Sequence, residues 1–134
     1  MDDAASLNGC SSATKLSGRS VKDTVARLLE LIEKNGMHVF DVIDQREEAQ
    51  LVGLSLRETV LVLFGSPSAG TPVMEAAPLA ALDLPLRILI WDDEKQTKVS
   101  YVPPQVLAAR YGLGPDLVQR IGGIDPLTDA LIAP

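Results

Sequence analysis

Two runs of aliphatic residues, TVLVLF at residues 59–64 and LRILIW at residues 86–91, dictate what this chain can build. Each is too short to bury itself as a helix and is bounded by Gly, Pro or acidic residues, so each reads as a strand. The first lacks any apolar–polar alternation; neither of its faces suits water, and it belongs in the middle of a sheet. After the second run, DDEKQT at residues 92–97 is a polar turn and KVSYV at residues 98–102 a further strand, so the two form an antiparallel hairpin.

The remaining segments fit around that centre. Val21, Val25, Leu28, Leu29 and Ile32 recur at helical spacing, with Lys22, Asp23, Arg27, Glu30 and Lys34 on the opposite face. Ser20 is placed to cap this helix, and Asn35-Gly36 to stop it. Residues 37–43 read as a strand with His38, Phe40 and Val42 on one side and Met37, Val39, Asp41 and Ile43 on the other. Residues 45–51 read as a short helix, and residues 105–111, 116–121 and 125–132 as three more, the first opened by Pro103-Pro104. Strands that need cover and amphipathic helices that need a sheet give an α+β class. Residues 1–19 are rich in Ser, Ala, Gly and Asn and are expected to be flexible, with residues 14–17 the one stretch able to join a sheet edge. Residues 20–134 are expected to form a single domain.

Composition removes several functions. The 134 residues carry 12 Lys plus Arg against 18 Asp plus Glu, a formal charge of -6, so nucleic acid is not an expected partner. Aromatic residues make up 4% of the chain, too few for a base-stacking platform. Cys10 is the single cysteine, which excludes an internal disulfide and a thiolate zinc cluster and suits a reducing, cytoplasmic setting. Leu7-Asn8-Gly9-Cys10 resembles a lipoprotein cleavage box but follows Asp2 and Asp3 instead of an apolar run, and no stretch reaches the ~20 apolar residues of a bilayer span. No membrane association, cofactor or metal is expected.

Between the two central strands lies the segment FGSPSAGTPVM at residues 64–74. Gly65 and Gly70 have the spacing of a nucleotide-binding loop, but Thr71 stands where its lysine is required. Gly70 or Thr71 followed by Pro72 reads as a helix start, and backbone N–H groups there can hold a carboxylate or phosphate. A tight, capped strand-to-helix connection accounts for the same residues without any ligand.

That segment, with AAPLAALDLPLRILIWDD at residues 76–93 and VSYVPPQVLAARYGL at residues 99–113, resembles the domain-of-unknown-function family 302 of small bacterial and archaeal proteins. The resemblance covers about residues 21–112. It implies a curved, mainly antiparallel sheet with helices on one face, similar to half of the TATA-binding protein, commonly as a homodimer. It implies no activity. Two departures stand out: Asp44-Gln45 where the family usually has Asp-His, and Ser66 where an Asn is more usual.

The chemistry-bearing residues are sparse. His38 is the only histidine; by strand parity it shares a face with Asp44 and not with Asp41. Ser66, Ser68, Thr71 and Ser100 lack any other base, so a small hydrolase would depend on His38 or Asp83. Asp92, Asp93 and Glu94 read as a solvated turn. Asp83, flanked by Leu82, Leu84 and Pro85, needs a partner if enclosed, and Arg87 is at hand. Tyr101 and Trp91, on neighbouring strands, are placed to line a pocket or pack in the core, and Met74 to fill it. The expected function is a homodimeric binding module for a small polar or anionic ligand held by Gly65, Ser66, Ser68, Gly70, Thr71, Asp83 and Tyr101. A structural or protein-interaction module is the alternative, and no catalytic constellation is visible.

Overall fold

A computed structural model describes residues 12–134; Cys10 and residues 1–11 of the segment 1–19 that was expected to be flexible lie outside the described residues. The chain runs β1 (Ala13–Ser17), α1 (Val21–Lys34), β2 (His38–Asp44), α2 (Gln45–Leu51), β3 (Thr59–Gly65) and α3 (Pro67–Ala76). A 3-10 turn (Pro78–Asp83), β4 (Leu86–Asp93), β5 (Gln96–Tyr101), α4 (Pro104–Tyr111), α5 (Pro115–Ile121) and α6 (Ile124–Ile132) follow. The fold is α+β, with one antiparallel sheet in the order β1-β5-β4-β3-β2. Both aliphatic runs are interior strands, β3 and β4, paired from Thr59↔Trp91 to Phe64↔Leu86.

Strand alternation sends Val60, Val62 and Phe64 of β3, Ile88 and Ile90 of β4, and Val99 and Tyr101 of β5 to one face. Val21, Leu28 and Ile32 of α1 and Ile124, Leu127 and Leu131 of α6 close over them in one buried cluster. Full burial of an aliphatic or aromatic side chain contributes about 1.5–3 kcal/mol, so this layer is the main stabilising unit. Its helix α1 is well terminated. Ser20 Oγ accepts from the Asp23 N–H, and Gly36, at φ 72°, completes a Schellman stop in which Gly36 N–H donates to Glu33 and Met37 N–H to Ile32. A smaller cluster of Val73, Ala80, Leu107, Leu113 and Ile121 joins α3, the 3-10 turn, α4 and α5.

The opposite sheet face is different. Ile43, Leu61, Leu63, Leu89 and Trp91 point there and remain half-buried. The helix α2 buries none of its residues, and Leu51, Val52 and Leu54 are more than 60% exposed beside it.

Residues 13–17, placed in the flexible segment apart from the possible edge strand at residues 14–17, are that strand. Lys15 Nζ donates to Asp125 O, Thr128 Oγ1 and Asp129 Oδ1 of α6, and buried Ser17 and Thr24 share a 2.8 Å hydrogen bond. Arg19 and Arg27 donate to the carbonyls of Ala130, Leu131 and Ala133 at the end of α6. These guanidinium groups sit where the helix dipole favours cations. Cutting the chain before residue 20 is therefore expected to cost at least ~2 kcal/mol of unfolding free energy relative to the full chain, because it strips buried hydrogen bonds and exposes the β5 edge. Urea unfolding of the two proteins measures the difference.

Candidate functional site

The helix after β3 begins earlier than its sequence suggests. α3 starts at Pro67, with Ser66 as its N-cap residue, and Pro72 lies inside it. The physical reason is Pro67: at the first helical position its fixed φ is already helical and its missing N–H is no loss. Most of the expected loop is thus helix. The Ala69 and Gly70 N–H groups donate to Ser66 O and are not available as an anion cradle.

What this arrangement leaves is a cavity of ≈ 210 Å³ where the two hydrophobic clusters meet. Phe64 and Leu86 of the sheet form its base, Gly70 and Met74 of α3 one wall, and Ile121, Gly123 and Ile124 around the start of α6 another. Met37 and Phe40 close the side next to β2. The wall is overwhelmingly apolar, and the hydroxyl and backbone groups expected to hold a polar or anionic ligand make up little of it. Gly65, Ser66 and Gly70 of the expected site line this cavity; Ser68, Thr71, Asp83 and Tyr101 do not. Ser66 Oγ and Ser68 Oγ hydrogen-bond each other at 2.9 Å. A Cβ added at Gly70 would lie 4.0 Å from Met74 Cε, an ordinary contact directed into the cavity.

Several contributors were not legible. Arg120, the single charged residue of the lining, reads in sequence as the polar side of a short terminal helix, and Met37 and Phe40 as strand residues. Only three-dimensional docking of α5 against α3 brings Arg120 to this mouth. Nothing in local spacing signals it.

Strand geometry revises other expectations. A bulge between Val39 and Asp41 inserts one residue, so His38 pairs with Gly65 and Asp41 with Leu63. Those partners are two apart on β3, so His38 and Asp41 share a face and Asp44, opposite Val60, takes the other. The His38 ring stands edge-on to Phe40 with centroids 4.6 Å apart, and no hydrogen bond joins it to a carboxylate or hydroxyl among the described residues. Trp91 and Tyr101 point to opposite faces and line no common pocket. Trp91 Nε1 donates to Ser100 Oγ, whereas Tyr101 is buried in the core and donates to Asp125 Oδ1 at 2.6 Å. Asp93 is taken by Lys98 at 2.6 Å and Arg57 at 3.4 Å beside a turn whose Glu94 and Lys95 have positive φ. Among the described residues no group of three or more His, Cys, Asp or Glu is placed to hold a metal ion.

Asp83 is enclosed by its own partners. Arg87 reaches one carboxylate oxygen at 2.6 Å, Arg110 the other at 2.7 Å, and the Tyr111 hydroxyl donates to that second oxygen. Burial pushes the carboxyl upward, but hydrogen bonds from Tyr111 and Arg110 and the charges of Arg110 and Arg87 outweigh it and hold Asp83 below the usual carboxylate range. This cluster staples the 3-10 turn to β4 and α4. Because the folded-state value is depressed, its stabilisation is present above the unfolded value near ~4 and is lost as pH falls through the folded value. Asp83→Asn is expected to cost about 1–3 kcal/mol at neutral pH and to flatten the fall in stability below pH ~4, as read by urea unfolding across pH.

Comparison with known proteins places this geometry. Residues 13–131 match the family model described as Domain of unknown function DUF302. A crystal structure of an uncharacterized conserved DUF302 protein from Bacillus stearothermophilus superposes with a TM-score of 0.77 at 20% identity, covering 91% of this chain and 95% of that one. Two curated relatives, each named Fluoride-specific ion channel FluC 1, come from Brucella suis biovar 1 (strain 1330) and Brucella abortus biovar 1 (strain 9-941). Each is 35% identical over 111 residues, which is 82% of this chain but only 44% and 41% of those proteins. The chain thus spans less than half the length of the curated relatives it matches, and among its described residues no helix is long and apolar enough to cross a membrane. On a family match that begins with β1 and ends in α6, the chain belongs to the DUF302 family.

Proposed function

We propose that this chain is a binding domain for a small molecule held chiefly by apolar contact at the junction of its two cores. The carrying observation is the ≈ 210 Å³ cavity under α3, since close-packed interiors do not leave such a volume between clusters without cost. An apolar cavity of about 150 Å³ already accepts benzene, so this one has room for roughly eight to ten non-hydrogen atoms. Fluoride is a poor match, because an apolar wall cannot replace the hydration of a halide. On this reading, a segment like this one inside the Brucella channel proteins contributes recognition of an organic molecule or a partner, not an ion path. The acidic, single-cysteine composition fits a cytoplasmic location.

A second reading, a homodimeric interaction module, is favoured by the open sheet face. β3 is apolar on both sides, yet only its inner side is covered. A second copy facing Ile43, Leu61, Leu63, Leu89 and Trp91 would dry it, with Lys98, Arg57 and Asp93 at the margin offering both signs of charge to a two-fold partner.

Titration of isotope-labelled protein with 1-hexanol and benzyl alcohol tests the first reading. Saturable shifts are expected at Met37, Gly65, Gly70, Ile121 and Gly123, and their loss in Gly70→Leu, which fills the cavity from a helical position while favouring the helix. Absence of saturable binding by either alcohol ends this reading. For the second, sedimentation is expected to give a dimer that Leu61→Glu/Leu89→Glu converts to a monomer; a monomeric parent at the highest soluble concentration removes it.

A further inference from the structure

We infer that the ligand of this pocket is an anionic amphiphile, a short hydrocarbon ending in a carboxylate, with Arg120 as the group that recognises its charged end. The inference rests on the pocket reading above and adds the chemical class. Arg120 is the one ionisable side chain of the lining, and neither Asp nor Glu joins it there. It has no ion-pair or hydrogen-bond partner among the described residues, in contrast to Arg19, Arg27, Arg57, Arg87 and Arg110; Arg46 has none either, but it lies outside the lining. In a chain of formal charge -6, an unpaired guanidinium beside an apolar cavity is a local reversal of sign. Its planar donor fork matches a carboxylate through two parallel hydrogen bonds.

The layout also sets an order along the ligand. Phe64 and Ile124 are buried and Leu86 half-buried, and they form the inner part of the cavity, whereas Arg120 is exposed at its mouth. A hydrocarbon body goes inward and a charged end stays outward, so the anion keeps part of its hydration and the guanidinium does not have to be buried. The volume limits the body to about the size of a six-carbon chain or one aromatic ring.

The experiment compares pairs that share a body: hexanoate against 1-hexanol and benzoate against benzyl alcohol, followed by backbone amide shifts at low ionic strength. Each acid is expected to bind about tenfold more tightly than its alcohol, as one charge-assisted contact supplies. Arg120→Gln is expected to abolish that preference while leaving alcohol affinity within about twofold, Arg120→Lys to keep part of it, and added salt to shrink it. Acids and alcohols binding equally, or a preference that survives Arg120→Gln, overturns the assignment of class while the pocket stands. Binding of neither alcohol overturns the pocket itself, and this inference with it. A melting temperature for Arg120→Gln equal to that of the parent separates loss of recognition from loss of fold.

Discussion

The inner surface of β3 and β4 has to be kept from water, and the rest of the structure is arranged around that requirement. Val62, Phe64, Ile88 and Ile90 have no exposed area, and one helix cannot cover a strand pair of this length. Two do so, α1 from the start of the chain and α6 from its end. The two helices must then be fixed to each other and to the sheet. Lys15, Arg19 and Arg27 perform that task by donating to side chains and terminal carbonyls of α6, so the polar contacts are placed where the apolar layer would otherwise slide. Their individual contributions are modest, about 1 kcal/mol each, and their value is in register.

A second consequence follows from dividing the core. The α3–α5 cluster packs on the end of the sheet and not over its centre, and Leu86 serves both clusters. Two cores meeting at a strand end do not interdigitate as one core does, and small residues at the seam, Gly65, Gly70 and Gly123, leave the space unfilled. The cavity is thus a product of how the elements are joined, which is why its lining comes from four separate stretches of chain.

This explains what the amino-acid sequence could and could not disclose. Strands β3, β4 and β5 and helix α1 were legible because their residues report burial directly, through period and through caps such as Ser20 and Gly36. The family was legible from its ordered motifs. The start of α3 was misplaced because Pro67 and Pro72 both qualify as helix openers, and only packing selects the earlier one. The face shared by His38 was misassigned because a single bulged residue reverses parity without a sequence signal of its own. Asp83 was rightly singled out as a carboxylate in need of partners, but Arg110 and Tyr111 come from a helix 27 and 28 residues away. Of the seven expected ligand-binding residues, three line the cavity, Gly65, Ser66 and Gly70, and the one charged residue of the lining, Arg120, belongs to α5 and was not singled out.

The contrast between Asp83 and Arg120 bears on how a small domain of this kind separates stability from recognition. Arg87 and Arg110 sit on the surface much as Arg120 does, and each is committed to Asp83. A guanidinium paired in this way is a staple: its hydrogen bonds are spent inside the protein, and an incoming anion would have to compete with a carboxylate held in place by three donors. Arg120 carries no such commitment among the described residues and borders empty apolar volume instead. Local charge therefore decides little by itself. An arginine is available for a ligand where the fold has given it a cavity to border and no internal anion, and among the described residues that line the cavity only Arg120 meets both conditions.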